Sequence, residues 1–463
     1  MIEAISTLTN ANLTRSPAWQ ASFSIDGKYL AVCFGNPNTH VKIWQCCNTQ
    51  NHTTTKAGEK EETEEWKLLA TIQDDDDDTS GHTRSIRSVS FAPTAISYDV
   101  VPILATASFD GKVLIWEYCH DDDDDDLMQT TKNDDNYSIT NNEQSTSTTS
   151  GYFEPIAQLE GHDNEIKDLA WNATGSLLAS CGRDKTIWVW ECFLPGTIGG
   201  VESSTIMDDD DGEAFECLAV LQGHDGDVKS IAFGPSHNQW GEGEEILVSA
   251  SYDNTIKVWA EEAGDWYCAM TLGEDTTTSV PQSIIAPSSS GGSSGGIVHT
   301  STVWCVAFAP GGVRFFSGSD DGSMAIWKLY TATERKRLFP NNNEQVVKVV
   351  SSTDGLWKCV GKLPNAHSSY AVFSIDCAPT RAGHGRIASA GGDNSINIYR
   401  EESIGSGGDG DTSLDAPPKF SLEDAAVEAH DGDVNCIKWH PRDGKCLVSC
   451  GDDGAVKLWR YIR

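Results

Sequence analysis

The sequence predicts an all-β fold, a closed seven-bladed β-propeller. Three observations predict it. An Asp or Asn followed six positions later by a large aromatic recurs seven times along the 463 residues. Each copy is preceded by two strand-like segments, and all but the last are followed by a third. Four strands in a unit of roughly 40–45 residues make one propeller blade, and seven units favour a closed ring.

The elements follow in the same order in each unit. The first is an apolar strand such as DVKSIAFGP (227–235), STVWCVAFAP (301–310) or DVNCIKWHP (433–441). A His stands ahead of six of them: His82, His162, His224, His299, His367 and His430. The second strand is a small, apolar run: ILATASF, SLLASCG, ILVSASY, CLVSCG. A turn then leads into the repeated motif. Its copies are NTHVKIW (38–44), DGKVLIW (110–116), DKTIWVW (184–190), DNTIKVW (253–259), DGSMAIW (321–327), DNSINIY (393–399) and DGAVKLW (453–459). Each is a turn residue followed by alternation that ends in a ring. The fourth strands read WKLLATI, FEPIAQL, FECLAVL, WYCAMTL, WKCVGKL and, weakly, FSLEDAAVEA. Only four residues follow Trp459, so the last blade has no fourth strand of its own. The N-terminal segment Ile2–Leu8 is expected to supply it, which closes the ring and removes an exposed sheet edge.

His near the start and Trp near the end of four strands is the WD-repeat (WD40) signature. In it a His, a Ser or Thr two residues before the turn Asp, that Asp and the aromatic are expected to form a buried hydrogen-bond chain. Three sets fit: His82–Ser108–Asp110–Trp116, His224–Ser251–Asp253–Trp259 and His299–Ser319–Asp321–Trp327. Gly182, Gly391 and Gly451 replace the Ser elsewhere, so those chains are expected to be incomplete. These residues read as structural rather than as a catalytic His–Asp pair.

Seven such repeats need about 300 residues, so about 160 are surplus. They fall into insertions near 46–63, 120–150, 193–212, 273–298, 329–354 and 403–420, with a shorter one at 74–81. All are polar or acidic, and are expected to be disordered loops of one domain spanning 1–463. Most join third to fourth strands and crowd one face. The opposite face is barer. It carries the turns between second and third strands, whose residues before each motif are Pro37, Phe109, Arg183, Tyr252, Asp320, Gly392 and Asp452. Phe109, Arg183 and Tyr252 fall on consecutive blades, and an Arg between two aromatics has the composition of a protein-binding hot spot.

Charge and composition exclude several functions. Lys plus Arg number 33 against 69 Asp plus Glu, a net charge of −36. Such a chain repels phosphate backbones and anionic membranes. The runs Asp74–Asp78, Asp121–Asp126 and Asp208–Asp211 hold 15 of the aspartates. No stretch approaches the ~18 apolar residues of a membrane span, and the N-terminus lacks the pattern of a signal peptide. The expected compartment is cytosolic or nuclear. The 14 cysteines sit mostly in apolar strands, with no C-x-x-C pair, so neither a disulfide framework nor a metal site is expected. There is no G-x-S-x-G, P-loop or H-E-x-x-H, and poly-Asp lacks the alternation of an EF-hand loop.

Several stretches resemble one family closely, the WD-repeat subunit of the cytosolic iron–sulfur protein assembly (CIA) targeting complex. The strongest is LEGHDNEIKDLAWNATGSLLASCGRDKTIWVWE (159–191), with its second Trp, Trp188, and its Arg-Asp-Lys turn. Others are 250–272, 301–328 and 429–461, and the likeness covers all seven blades but skips the insertions. The resemblance implies a non-enzymatic adaptor without a cofactor of its own. It implies a HEAT-repeat protein and a small acidic adaptor as co-subunits. An iron-only-hydrogenase-like carrier would bring clusters, and apo iron–sulfur proteins, including enzymes of DNA metabolism, would receive them. It also implies a functional role for the Arg of the blade-three turn, here Arg183. The competing reading is another WD40 scaffold, such as a substrate receptor of a ubiquitin ligase; a metal-binding or hydrolytic enzyme is a third.

Overall fold

A computed structural model describes residues 1–9, 16–49, 63–73, 81–93, 101–120, 151–194, 214–235, 245–262, 264–273, 298–331, 334, 356–379, 385–402 and 418–462. The three aspartate runs lie outside the described residues, as do most of the predicted insertions.

Seven four-stranded antiparallel sheets form the blades. Blade 1 is β2 (Ala18–Phe23), β3 (Tyr29–Phe34), β4 (His40–Thr49) and β5 (Thr63–Gln73). Blade 2 is β6 (Ile86–Phe91), β7 (Leu104–Ser108), β8 (Lys112–His120) and β9 (Gly151–Glu160). Blade 3 is β10 (Ile166–Trp171), β11 (Leu177–Gly182), β12 (Thr186–Cys192) and β13 (Phe215–Gln222). Blade 4 is β14 (Val228–Phe233), β15 (Ile246–Ser251), β16 (Ile256–Glu262) and β17 (Asp265–Leu272). Blade 5 is β18 (Val303–Phe308), β19 (Arg314–Ser319), β20 (Met324–Tyr330) and β21 (Leu356–Leu363). Blade 6 is β22 (Val372–Cys377), β23 (Arg386–Gly391), β24 (Ile396–Glu401) and β25 (Phe420–Ala426). Blade 7 is β26 (Val434–Trp439), β27 (Cys446–Gly451), β28 (Val456–Tyr461) and, on its outside, β1 (Ile2–Thr7). The flanking strands run further than the spacing suggests: β4 reaches Thr49, β20 reaches Tyr330, and β25 starts at Phe420, inside stretches read as insertion.

The N-terminal strand therefore closes the ring. Ile2 pairs with Tyr461 and Ala4 with Trp459, and the Leu8 N–H donates to the Val456 carbonyl at 2.8 Å. Apolar clusters then bridge the blade seams. Cys33 and Ile43 of blade 1 meet Val89 and Leu114 of blade 2; Leu30 and Val32 of blade 1 meet Val448 and Cys450 of blade 7. The alternation that predicted each strand is what presents an apolar row to each neighbouring blade. The outermost strand β9 shows it most plainly: Phe153 and Leu159 are buried, and every second residue from Tyr152 to Glu160 is exposed.

The buried relay exists, but its hydroxyl is not the one predicted. In blade 2, His82 Nδ1 meets Asp110 at 3.1 Å, while Nε2 meets Thr106 Oγ1 at 2.8 Å. The Trp116 indole N–H donates to the same Thr106 oxygen at 2.8 Å. Ser108 instead ties the turn: it donates to the Arg84 carbonyl and accepts the Asp110 N–H. Ser251 and Ser319 do the same in blades 4 and 5, where Ser249 and Ser317 join His224 to Trp259 and His299 to Trp327. The chains are also complete in two of the three blades where Gly replaces the turn Ser. Ser180 links His162 to Trp190, and Ser449 links His430 to Trp459. In blade 6, Ser389 holds His367, but Tyr399 turns its hydroxyl to the Ala366 carbonyl. Two residues along a strand share a face, so the spacing could not separate the inner hydroxyl from the outer one.

Blade 1 departs from the rest. Its β3–β4 turn is two residues longer, so Gly35, not Pro37, occupies the first turn position; the Gly35 N–H donates to the Pro17 carbonyl at 2.9 Å. His40 stacks on Phe34 at 4.4 Å in place of a His–Asp pair.

Candidate functional site

The turns between second and third strands share one construction. The first turn residue donates its N–H to the carbonyl just ahead of the innermost strand: Phe109 to Ser85, Arg183 to Glu165, Tyr252 to Asp227, Asp320 to Thr302 and Asp452 to Asp433. The next residue, the motif Asp, uses one oxygen to accept the N–H two residues on, as Asp184 does from Thr186 at 3.0 Å. In blades 2–4 its other oxygen takes the relay His, 2.7 Å from His162 in blade 3; in blades 6 and 7 one oxygen of Asp393 and of Asp453 serves both. This Asx-turn geometry fixes the turn. Burial, the largest single influence, would raise the motif carboxyls; the His hydrogen bond and charge together with the backbone and hydroxyl donors outweigh it and hold Asp110, Asp184, Asp253, Asp321, Asp393 and Asp453 below the usual carboxylate range.

The third turn position needs a left-handed backbone. Gly111, Asn254, Gly322, Asn394 and Gly454 supply it with φ between 62° and 84°. In blade 3 the residue is Lys185, at φ 70°. A Lys there is strained relative to Gly or Asn. The blade-three turn thus carries two cations, Arg183 and Lys185, the second on a backbone that disfavours it.

Arg183 is 55% exposed, and its guanidinium lies 3.6 Å from a Glu165 oxygen. Glu165 is the hub of this region. It also accepts from Lys167 Nζ at 2.7 Å and from Arg84 of the neighbouring blade at 2.8 Å. Burial would raise its carboxyl, but the Lys167 and Arg84 hydrogen bonds and the Lys167 and Arg183 charges hold it at about 2. Three cations on one carboxylate leave an excess of positive charge. Phe109 is half-buried beneath it, with the Lys167 ammonium 4.1 Å and the Arg84 guanidinium 5.9 Å from its ring centre. Tyr252 is 61% exposed, its ring 5.5 Å from Lys229. Arg183 and Phe109 are thus joined through Glu165, Arg84 and Lys167, while Tyr252 stands on the adjoining blade.

In blades 5 and 7 the same positions are acidic. Asp320 accepts from Ser301 at 3.0 Å, and Asp452 accepts from Asn435 at 2.8 Å. Burial, then the charge of Asp452, raises the Asp433 carboxyl. The face has a basic sector over blades 2–4 and an acidic one over blades 5 and 7. The sequence singled out Arg183, Phe109 and Tyr252 but missed Arg84, Lys167 and Glu165. The missed signal was the position just before and just after the start of each innermost strand.

The WD domain, G-beta repeat family model matches residues 73–117, 153–191, 215–260, 295–328 and 423–460. The first three strands of blades 1 and 6 lie outside those matches, and these are the two blades without a relay that ends on Trp. A probable cytosolic iron-sulfur protein assembly protein 1 from Meyerozyma guilliermondii is 32% identical over 457 residues, covering 93% of this chain and 100% of that protein. The chain belongs to the cytosolic iron-sulfur protein assembly protein 1 family. The relative of the same description from Chaetomium globosum is 33% identical over 435 residues, 85% of this chain and 86% of that protein. The one from Candida albicans is 31% identical over 420 residues, 86% and 88% of the two chains. The likeness to these relatives thus extends over 85% or more of the chain. Among the described residues no group of three or more His, Cys, Asp and Glu is placed to hold a metal ion.

Proposed function

We propose that this chain is a non-enzymatic scaffold of cytosolic iron–sulfur protein assembly, one domain over residues 1–463, working in the cytosol and nucleus. The observation that carries the reading is the near-full-length likeness to relatives named for that process. The basic sector adds a physical basis for docking: a half-buried aromatic, an exposed Tyr and an exposed Arg lie where the rest of the chain is strongly acidic. Arg183, Phe109 and Tyr252 form the partner-contacting set in this reading, with Arg84, Lys167 and Glu165 positioning Arg183.

The partners proposed are the HEAT-repeat and small acidic subunits of the CIA targeting complex, the iron-only-hydrogenase-like carrier and apo client proteins. The face suits acidic partner segments at blades 2–4 and basic ones at blades 5 and 7. Any link to DNA runs through protein contacts, because the net charge of −36 opposes direct binding. Depleting the protein and measuring iron in cytosolic and nuclear iron–sulfur enzymes tests the proposal. Loss of client iron is expected, restored by wild type and not by Arg183→Glu. Unchanged client iron after depletion contradicts it.

A further inference from the structure

The innermost strand of each blade opens with a one-residue bulge, and a bulged residue leaves the ladder. In blades 2, 3 and 4 that residue is Arg87, Lys167 and Lys229. In blades 1, 5 and 6 it is Trp19, Trp304 and Phe373. In blade 7 it is Asn435. All seven line one cavity of about 560 Å³. The mouth of the axial channel thus has three adjoining cations on one side and three aromatics with Asn435 on the other.

We propose that this mouth binds a small phosphate-bearing polyanion, held by Arg87, Lys167 and Lys229. The carboxylates nearby do not neutralise it. Lys167 is engaged by Glu165 at 2.7 Å and Lys229 by Asp227 at 3.0 Å. Glu165, however, is shared with Arg84 and Arg183. Arg87 lies 4.8 Å over the Trp19 ring and has no carboxylate within ion-pair distance among the described residues. Burial lowers the Lys167 ammonium; Glu165 opposes this, while the charges of Lys229 and Arg87 add to it. An anion seated between the three relieves that repulsion.

The channel floor sets the depth. Asp168 accepts from Gln20 Nε2 at 2.8 Å and Ser88 Oγ at 3.2 Å through one oxygen, and from the Ile231 N–H at 3.1 Å through the other. Its charge is fixed below the cations, so a negative ligand stays at the mouth. A ligand carrying two or more charges on a compact group faces all three cations at once, and a guanidinium matches phosphate oxygens two at a time. The aromatic side supplies apolar walls, and the cavity volume falls in the small-ligand range.

The test is calorimetric titration of the purified full chain with inorganic pyrophosphate, tripolyphosphate and ATP, repeated on Arg87→Gln and Lys229→Gln. Each variant is first checked for an unchanged unliganded melting temperature, and either one alone suffices. Saturable binding is expected, weakened at least tenfold in a folded variant. Tripolyphosphate binding as tightly as ATP assigns the phosphates alone; tighter ATP assigns a nucleotide source. No binding of any probe at about 1 mM, or equal affinity in both folded variants, overturns the proposal. No partner protein is involved, so its failure leaves the scaffold reading standing.

Discussion

Lys185 holds a left-handed backbone at φ 70° where five other blades use Gly or Asn. Replacing it with Gly removes the strain at the cost of a looser unfolded chain, so Lys185→Gly is expected to stabilise by about 0.5–1 kcal/mol. Urea denaturation measures this, and a loss of stability contradicts the turn geometry. The relay offers a sharper contrast. Thr106→Ala leaves His82 Nε2 and the Trp116 indole N–H without their buried partner, an expected cost of about 1–3 kcal/mol. Ser108→Ala removes only the turn tie and is expected to cost about 1 kcal/mol or less. Equal midpoints for the two variants would contradict the inner hydroxyl as the relay member. These six relays also set the acid response. The motif carboxyls are held below their unfolded values, so their contribution is intact above about pH 4 and is lost as pH falls through the folded values. Burial lowers His299 as well, so the unfolded chain takes up that proton first, below about pH 6.5. The melting temperature is expected to be flat above pH 7, to slip slightly below 6.5 and to fall steeply below 4. A midpoint unchanged between pH 7 and 3 contradicts this.

At the scale of strands, ring closure rests on β1. Its ladder with β28, the buried Ile2 and the Thr9 hydroxyl bonded to Gly454 and Val456 all join the two chain ends. Deleting residues 1–9 removes them. Burial of Ile2 alone is worth about 1.5–3 kcal/mol, so a clear drop in melting temperature is expected; an unchanged melt contradicts closure by this strand. The blade strands were legible because alternation is a local signal and was repeated seven times. The ends of β4, β20 and β25 were less so, because polar residues continue a two-stranded ladder as easily as they leave it. The blade-one turn was misread for a related reason: the Asn38–Trp44 spacing matches the motif, yet the turn begins two residues earlier, at Gly35.

For the whole molecule, the opposition of charge is the main functional feature. A chain of net −36 gathers Arg84, Arg87, Lys167, Arg183 and Lys229 over three adjoining blades. Arg183 was visible in the sequence because each turn residue sits at a fixed offset from its motif. Its setting was not, because Glu165 is held by Arg84, which lies 81 residues away in another blade. The central claim, that this sector docks assembly partners, is tested most directly by native co-purification of tagged wild type and Arg183→Glu. The side chain is 55% exposed, so the variant is expected to fold normally. Wild type is expected to bring down the HEAT-repeat subunit and its small acidic partner, and Arg183→Glu is expected to recover at least one of them poorly. Full recovery of both by Arg183→Glu, or ubiquitin-ligase subunits in place of assembly factors, would contradict the account.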